Sequence, residues 1–228
     1  GTIVNVALPS LATDLGATNS QLQWIVDAYL LVFTGLLLAA GGLGDRFGRK
    51  RVLMAGLAVF GATSAIAGSV GSADGLIAGR ALMGIGAAMI FPATLAIITN
   101  AFRDPAERAK AIGIWSAVSG MAVAFGPITG GWLLAHFWWG SVFFVNVPVA
   151  IVGLVLAWRI IPESREAHAP SFDGAGFVLS IAAIGALVYT IIEAPEWGWL
   201  SASTLAGFAL AAALIGAFVA VELRRTHP

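Results

Sequence analysis

The sequence predicts an all-α, polytopic membrane protein, and three observations carry this prediction. First, 59% of the 228 residues are hydrophobic and 11% are charged, whereas an average soluble domain carries about 25% charged residues. Second, seven apolar runs in the chain have the length, about 20 residues, that a helix needs to cross a hydrocarbon core. Third, these runs are continuous, whereas barrel strands alternate apolar and polar residues, so helices are the expected spanning elements.

The apolar runs follow one another with short segments between them in which charge, Gly and Pro collect. The predicted spans are residues 23–43, 52–71, 75–101, 109–135, 139–161, 172–193 and 201–223. An earlier run, 1–12, has only about two-thirds of the spanning length. The chain begins at Gly1 with neither an initiator Met nor a positively charged segment before an apolar one. We therefore expect no signal peptide here, and we expect the chain to begin inside its first helix.

Basic residues predict the orientation of the spans, because they stay on the cytoplasmic side of a membrane. If consecutive spans alternate in direction, eleven of the 12 basic residues fall on one side and none falls in the opposite loops. These eleven are Arg46, Arg49, Lys50, Arg51, Arg103, Arg108, Lys110, Arg159, Arg165, Arg224 and Arg225. An interfacial belt of tryptophans is expected at the other ends, and it comprises Trp24, Trp132, Trp138, Trp139, Trp197 and Trp199. The first helix is thus predicted to run outward from a cytoplasmic N-terminus.

Composition and motif content exclude several function classes. The 12 basic and 12 acidic residues cancel, which is unlike the strongly basic balance of nucleic-acid binders. The chain has no cysteine and therefore no thiolate metal site, and His136, His168 and His227 have no metal-ligand spacing. No P-loop string and no Ser-His-Asp constellation occurs at membrane depth. We expect neither an enzyme nor a cofactor-binding protein.

The segment from Gly41 to Leu53, GGLGDRFGRKRVL, is the most distinctive loop of the sequence. Its small residues would allow a tight turn and the close approach of two helices. Asp45 could cap a helix or pair with an arginine, while the basic cluster could contact anionic headgroups. On composition alone, a generic basic loop is the better interpretation.

The full string resembles the signature loop of the major facilitator superfamily, G-x-L-a-D-r-x-G-r-k-x-x-l. This resemblance implies a gating role for the loop, carried by Gly41, Asp45, Arg46, Gly48, Arg49 and Lys50. Residues 76–88 resemble the fourth-helix pattern l-x-x-x-R-x-x-q-G-x-g-a-a, with Met83 in place of the glutamine. Residues 122–131 are similar to the antiporter motif g-x-x-x-G-P-x-x-G-G, with Ala122 in place of its first glycine and the rest supplied by Gly126, Pro127, Gly130 and Gly131.

Further strings resemble the fourteen-span drug–proton antiporters, which include bacterial exporters of quaternary ammonium compounds. They are residues 2–9 (TIVNVALP), 24–29 (WIVDAY), 146–148 (NVP), 162–164 (PES), 172–176 (FDGAG), Glu193 and 197–199 (WGW). The resemblance implies a six-helix transporter domain in 1–161, with an incomplete first helix, and a cytoplasmic link with two additional spans in 162–228. It also implies that a C-terminal six-helix domain and an acidic residue just before Gly1 lie outside this chain. The expected location is the bacterial cytoplasmic membrane.

Two ionisable residues within the predicted spans are candidates for function, because a charge at membrane depth costs about 3 kcal/mol or more. Asp27 and Arg80 each lie a few residues inside the outer end of an inward-running helix, roughly 8 Å below the interface. Equal depth permits an ion pair between them. The structural alternatives are that Arg80 reaches outward to the interface and that Asp27 caps or bonds to a neighbouring backbone.

A carboxylate in such a site suggests proton-coupled antiport, because a proton and a lipophilic cation would compete for one negative charge. In this hypothesis Asp27 binds the proton or the cation, Arg80 exchanges partners with it, and the partners of the protein are lipophilic cations, protons and membrane lipids. Export of a metabolite, siderophore or lipid is the alternative within the same fold. A non-transporting sensor or scaffold is the alternative outside transport.

For the other polar and aromatic residues within the spans, we favour structural roles over contact with a substrate. Asn5, Thr94 and Asn146 are expected to form helix–helix hydrogen bonds rather than to contact a substrate. Trp115, Met121 and Phe125 could line a drug pocket, but core or lipid packing is the default. The Gly-Pro string in the span 109–135 predicts a kink with close packing, which could act as a hinge or as a seal against proton leak.

Overall fold

The computed structural model describes residues 2–165 and 174–223, which form nine helices. They are α1 (Thr2–Asp14), α2 (Asn19–Phe47), α3 (Arg49–Ser69), α4 (Ala73–Ala101), α5 (Pro105–His136), α6 (Ser141–Phe144), α7 (Asn146–Ile160), α8 (Gly174–Trp197) and α9 (Ala202–Leu223). Arg224, Arg225, His168, His227, Phe172 and Asp173 lie outside the described residues, as does most of the predicted link.

Seven membrane-length apolar stretches are present in the described chain, which confirms the predicted number of spans and the all-α class. Their limits differ from the predicted ones where local chemistry extends or interrupts a helix. α2 begins at Asn19 because Thr18 and Gln21 form a capping box that satisfies the first backbone N–H groups. The fifth full span comprises α6 and α7, which are separated at Val145. Pro148 lacks the N–H that would bond to the carbonyl oxygen of Phe144, which weakens the helix at this point.

The turn between the spans predicted at 23–43 and 52–71 is shorter than those limits imply. α2 continues to Phe47 and α3 begins at Arg49, so Gly48 is the one residue between them. Gly48 has φ of +109°, a backbone conformation that residues with a Cβ rarely adopt. The two helices therefore reverse direction in a single residue, and most of the predicted loop is helical.

Small residues bring α2, α3 and α4 into close contact at the centre of the molecule. A methyl group added to Gly84 would lie 2.8 Å from the carbonyl oxygen of Tyr29 on α2, and one added to Gly86 would lie 2.7 Å from the backbone nitrogen of Phe60 on α3. Both glycines belong to the fourth-helix pattern noted in the sequence. Helices associate in a membrane through such close backbone packing, so these positions hold the three-helix centre together.

The remaining helices pack around this centre with very different degrees of burial. α1 packs mainly on α5, α7 packs on α3, and α8 packs on α2 and α9. Gly130 alone among the residues of α5 is buried. α5 therefore presents a long apolar face that no other described helix covers.

Candidate functional site

A cavity of about 390 Å³ lies where α2, α3, α4, α5 and α7 converge. Its wall is mainly aromatic and aliphatic, with a few hydroxyl and amide groups. The lining residues are Tyr29, Phe33, Leu57, Phe60, Ala87, Ile90, Phe91, Thr94, Trp115, Ser119, Asn146, Val149 and Ala150. An apolar, concave site with few polar groups is typical of small-molecule binding.

Four aromatic rings form a continuous series along this cavity. The Tyr29 and Phe33 rings are stacked one helical turn apart on α2, with centroids 6.0 Å apart and an interplanar angle of 3°. Phe91 of α4 meets Phe33 edge-on at 5.9 Å and meets Trp115 of α5 at 5.0 Å. The series therefore joins three helices and presents both ring faces and ring edges to the cavity.

Arg80 lies behind the first ring of this series. Its Nε donates a hydrogen bond of 2.7 Å to the carbonyl oxygen of Ile25, and its Cζ lies 4.3 Å from the centroid of the Tyr29 ring. The residue is only 2% exposed. Arg80 thus neither reaches the interface nor opens into the cavity, and it fixes the position of Tyr29 through a cation–π contact.

The polar groups of the cavity are partly used within the protein. Thr94 and Ser119 donate hydrogen bonds to carbonyl oxygens of their own helices. The Asn146 Nδ2 lies 3.5 Å from the buried Ser64 Oγ of α3, which makes a long helix–helix contact. Asn146 also lines the cavity. Its position therefore fits both the expected helix–helix hydrogen bond and contact with a substrate. Asn5 is exposed and lies apart from the cavity.

Asp27 faces away from Arg80, and the ion pair that equal depth permits is not formed. Asp27 lies two residues from both Ile25 and Tyr29, and a step of two residues is about 200° around a helix. Because those two residues contact Arg80, Asp27 is placed on the opposite face of α2. It lines a separate groove toward α8. The sequence left the direction of each side chain around its helix open, and the structure places Asp27 and Arg80 apart.

The α2–α3 junction is held by two acidic residues. Asp45 Oδ1 accepts from Arg49 at 2.8 Å across the turn. Glu163 Oε1 accepts from the backbone N–H of Lys50 at 3.2 Å, and the second Glu163 oxygen lies 3.5 Å from Arg51 Nε. A carboxylate at the first turn of a helix is stabilised by unpaired N–H groups and by the helix dipole.

The other residues predicted to form the gating loop surround this junction. The Lys50 ammonium donates to the carbonyl oxygen of Trp158 at 2.8 Å, so α3 is also tied to the end of α7. Gly41 faces Pro92 of α4, where a methyl group would lie 3.8 Å from the proline ring. Arg46 is exposed, with its guanidinium 5.7 Å from the Phe47 ring.

The Gly-Pro string of α5 forms a contact with α1. Methyl groups added to Gly126 or Gly130 would meet Thr2 and Ile3, whereas Gly131 has open space around it. Pro127 cannot donate to the carbonyl oxygen of residue 123, four positions earlier. Thr2 Oγ1 instead donates to that Val123 oxygen at 3.1 Å.

Comparison with known proteins identifies the family. A family model described as Major Facilitator Superfamily matches residues 1–226. The chain belongs to the major facilitator superfamily. Members of this superfamily are transporters and not enzymes.

Among the relatives of this major facilitator chain are two bacterial resistance proteins. The tetracenomycin C resistance and export protein of Streptomyces glaucescens is 41% identical over 100% of this chain and 42% of its own length. The multidrug efflux pump LfrA of Mycolicibacterium smegmatis is 42% identical over 100% of this chain and 45% of its own length. The chain therefore spans less than half the length of these relatives.

Solved structures of major facilitator proteins have the same fold. The crystal structure of the POT family transporter PepTSo matches 100% of this chain and 52% of its own chain, with a TM-score of 0.65 and 17% identity. Such low identity supports the fold and not the substrate.

Sequence reasoning missed most of the cavity. Trp115 lines it although core or lipid packing was the expectation, whereas Met121 and Phe125 are exposed on α5, in agreement with lipid packing. Tyr29 and Phe33 could have been found from their i, i+4 spacing, which places two rings on one helix face. Phe91 had no comparable signal, because its contact with Phe33 depends on how α4 packs against α2.

Proposed function

We propose that this chain is part of a proton-coupled antiporter that exports lipophilic, cationic drugs across the bacterial cytoplasmic membrane by alternating access. The observation that carries the proposal is the series of aromatic rings along a cavity at the convergence of five helices. Aromatic faces attract cations, and their area binds flat apolar compounds without a fixed hydrogen-bonding pattern. Such a site suits compounds of varied shape.

Two relatives support export as the activity. One is named as a resistance and export protein for tetracenomycin C, and the other is named as a multidrug efflux pump. Because both are more than twice as long as this chain, we propose that the remaining half covers the cavity and the apolar face of α5. Transporters of this kind rock two halves about a central site.

We propose that the chain comprises a six-helix domain in 1–161 and, in 162–228, a link with two additional spans, as in fourteen-span antiporters. The N-terminus would be cytoplasmic, with the basic ends of the helices on the same side. In this arrangement Gly41, Asp45, Arg46, Gly48, Arg49 and Lys50 would form the cytoplasmic gate. Gly126, Pro127, Gly130 and Gly131 would seal α5 against α1.

Asp27 is the proposed proton-exchange group. Because the substrate cavity and Asp27 lie on opposite faces of α2, coupling would pass through movement of that helix rather than through competition at one site. Arg80 would act as a positioning residue, since it holds Tyr29 at the cavity wall.

A second candidate is export of a neutral lipophilic compound. No acidic side chain is among the described residues that line the cavity, and the buried cation Arg80 lies behind its wall. A neutral substrate would therefore meet no unfavourable charge in this half of the site.

The proposal is tested with the whole protein in liposomes under an inward-acid proton gradient. The measurement is accumulation of a fluorescent lipophilic cation by wild type, Trp115→Ala and Asp27→Asn. We expect Trp115→Ala to weaken the apparent affinity about tenfold or more, since stacking on an indole contributes about 1.5 kcal/mol. We expect Asp27→Asn to bind the cation but to lose gradient-driven accumulation.

The matched controls are the exposed residues Trp158→Ala and Asp14→Asn, which should behave like wild type. Undiminished accumulation in Asp27→Asn would remove Asp27 from the coupling. Transport of neutral but not of cationic compounds would favour the second candidate. Folded protein that transports neither would leave the sensor interpretation.

A further inference from the structure

A groove of about 290 Å³ lies between α2 and α8, on the side of α2 opposite to the aromatic cavity. Asp27 is its acidic residue, and the other described residues of its wall are aliphatic or threonine. They are Leu30, Leu31, Thr34, Ile184, Val188, Ile191 and Ile192. If the second half of the transporter covers the aromatic cavity, this groove faces away from it and toward the bilayer.

The Asp27 carboxylate has no hydrogen-bond or ion-pair partner among the described residues. Thr34, its polar neighbour in the groove, donates to the carbonyl oxygen of Leu30 on its own helix. Arg80 is engaged on the other face of α2. A carboxylate at membrane depth is costly unless a proton or a cation neutralises it. In its ionised state, Asp27 therefore needs a cation from outside the described chain.

The depth of Asp27 places it within reach of lipid headgroups. Trp24, three residues earlier on α2, lies about 4.5 Å nearer the helix start. Its indole Nε1 donates to Glu193 of α8 at 2.9 Å, and Ser20 Oγ donates to the same carboxylate oxygen at 2.9 Å. Tryptophan paired with polar groups at a helix end marks the membrane interface. Asp27 thus lies about one helical turn below that level.

We propose that the α2–α8 groove binds a phospholipid whose headgroup carries a primary amine, with the ammonium paired to Asp27 and an acyl chain against the aliphatic wall. A primary ammonium supplies three N–H donors to a carboxylate, and charge-assisted hydrogen bonds of this type are strong. The aliphatic wall suits an acyl chain, whereas the rings that suit an aromatic cation lie in the other cavity. This inference adds a lipid partner to Asp27. It rests on the proposed function only in taking Asp27 as the proton-exchange residue.

Lipid retention by the whole purified protein tests the proposal without any transport. Native mass spectrometry would compare bound phosphatidylethanolamine with phosphatidylglycerol, which has no amine, and with phosphatidylcholine, which has no N–H donor. We expect wild type to retain phosphatidylethanolamine preferentially. Asp27→Asn should weaken its binding about tenfold or more, because a charge-assisted contact is lost.

One further variant tests the groove without a change of charge. Ile184→Trp fills the groove and leaves Asp27 intact, so it should also lower phosphatidylethanolamine retention. The matched controls are Asp14→Asn and Leu205→Trp, which alter an exposed carboxylate and an exposed leucine outside the groove. Both controls should retain the lipid, and unchanged melting temperatures would show that every variant is folded.

Equal retention of the three lipids by wild type, or unchanged retention in both Asp27→Asn and Ile184→Trp, would overturn the lipid site. Binding of the lipophilic cation tetraphenylphosphonium is measured in the same assay. If the groove binds this cation in preference to phosphatidylethanolamine, and if binding depends on Asp27, the groove is a drug site and the lipid proposal is wrong. Normal lipid binding in a protein that exports nothing would refute the proposed function and leave this inference intact.

Discussion

Arg80 shows how a single residue organises the site from behind its wall. The guanidinium is buried, donates to the Ile25 carbonyl oxygen and lies against the face of Tyr29. A buried cation is tolerated only when its surroundings compensate for lost hydration, and the ring provides part of that compensation. The cavity wall and the stability of the helix bundle therefore depend on the same contact.

We predict that Tyr29→Leu lowers the free energy of unfolding by about 2 kcal/mol, because Arg80 stays buried without a ring face. Tyr29→Phe is the matched control, since it keeps the ring and should stay close to wild type. The measurement is denaturant-induced unfolding of the purified protein in detergent. Equal destabilisation by the two substitutions would show that the hydroxyl group, and not the cation–π contact, stabilises this site.

At the scale of elements, α1 and α5 are joined by a hydrogen bond that a proline creates. Pro127 leaves the Val123 carbonyl oxygen without its usual donor, and Thr2 supplies the missing hydrogen bond from the neighbouring helix. The close approach at Gly126 and Gly130 brings Thr2 within reach. The Gly-Pro motif thus joins α5 to α1. This agrees with the close packing that the sequence predicts for it.

We predict that Thr2→Val destabilises the protein by about 1 kcal/mol, the usual net value of one hydrogen bond. In a Pro127→Ala background the restored N–H can donate to Val123, so the same Thr2→Val substitution should cost much less. A double-mutant cycle of unfolding free energies measures the difference. Additive effects of the two substitutions would mean that Thr2 and Pro127 do not share this carbonyl group.

The one-residue junction between α2 and α3 makes a second prediction at this scale. Gly48→Ala would place a methyl group 2.5 Å from Glu163 Oε1 and would also hold alanine at a φ of +109°. Gly16→Ala is the matched control, because Gly16 also has positive φ but has open space around it.

For these two substitutions we expect Gly16→Ala to cost about 1 to 2 kcal/mol, from backbone strain alone. Gly48→Ala should cost clearly more, because φ of +109° lies outside the left-handed helical region near which Gly16 lies, and because the methyl group also displaces the Glu163 carboxylate from the start of α3. Melting temperatures of the purified variants give the comparison. If Gly48→Ala lowers the melting temperature no more than Gly16→Ala does, Glu163 does not stabilise this junction.

At the scale of the whole molecule, the alternation of the spans predicts that the basic segments lie on one side of the membrane and the tryptophan-rich turns on the other. These 228 residues contain no cysteine, so a cysteine introduced among them is a single reporter of orientation within this part of the protein. We predict that a membrane-impermeant maleimide added to intact cells labels Leu200→Cys and not Ala106→Cys, because basic loops stay in the cytoplasm. Both positions are exposed, so accessibility within the fold is matched. Labelling of Ala106→Cys after the cells are lysed would show that this cysteine is reactive and was protected by the membrane. Labelling of Ala106→Cys in intact cells would contradict the prediction.

The sequence by itself determined the fold class and the number of membrane-length spans. These properties follow from local quantities, namely the length of an apolar run and the charge between runs. The seven membrane-length stretches confirm this part of the prediction. Local chemistry was also enough to predict a tight turn within 41–53 and close packing at the Gly-Pro string of α5, although not that Gly48 is the turning residue.

Only the tertiary structure decided which residues meet. Arg80 contacts one face of α2 and Asp27 lies on the opposite face, while Phe91 joins Phe33 and Trp115 across three helices. Rotation of a helix about its axis depends on all of its neighbours, so a hydrophobic span that is apolar on every side gives no signal for it. The pattern along the chain thus set the spans, while packing between helices set the direction of each side chain, and the cavity and the groove both depend on that direction.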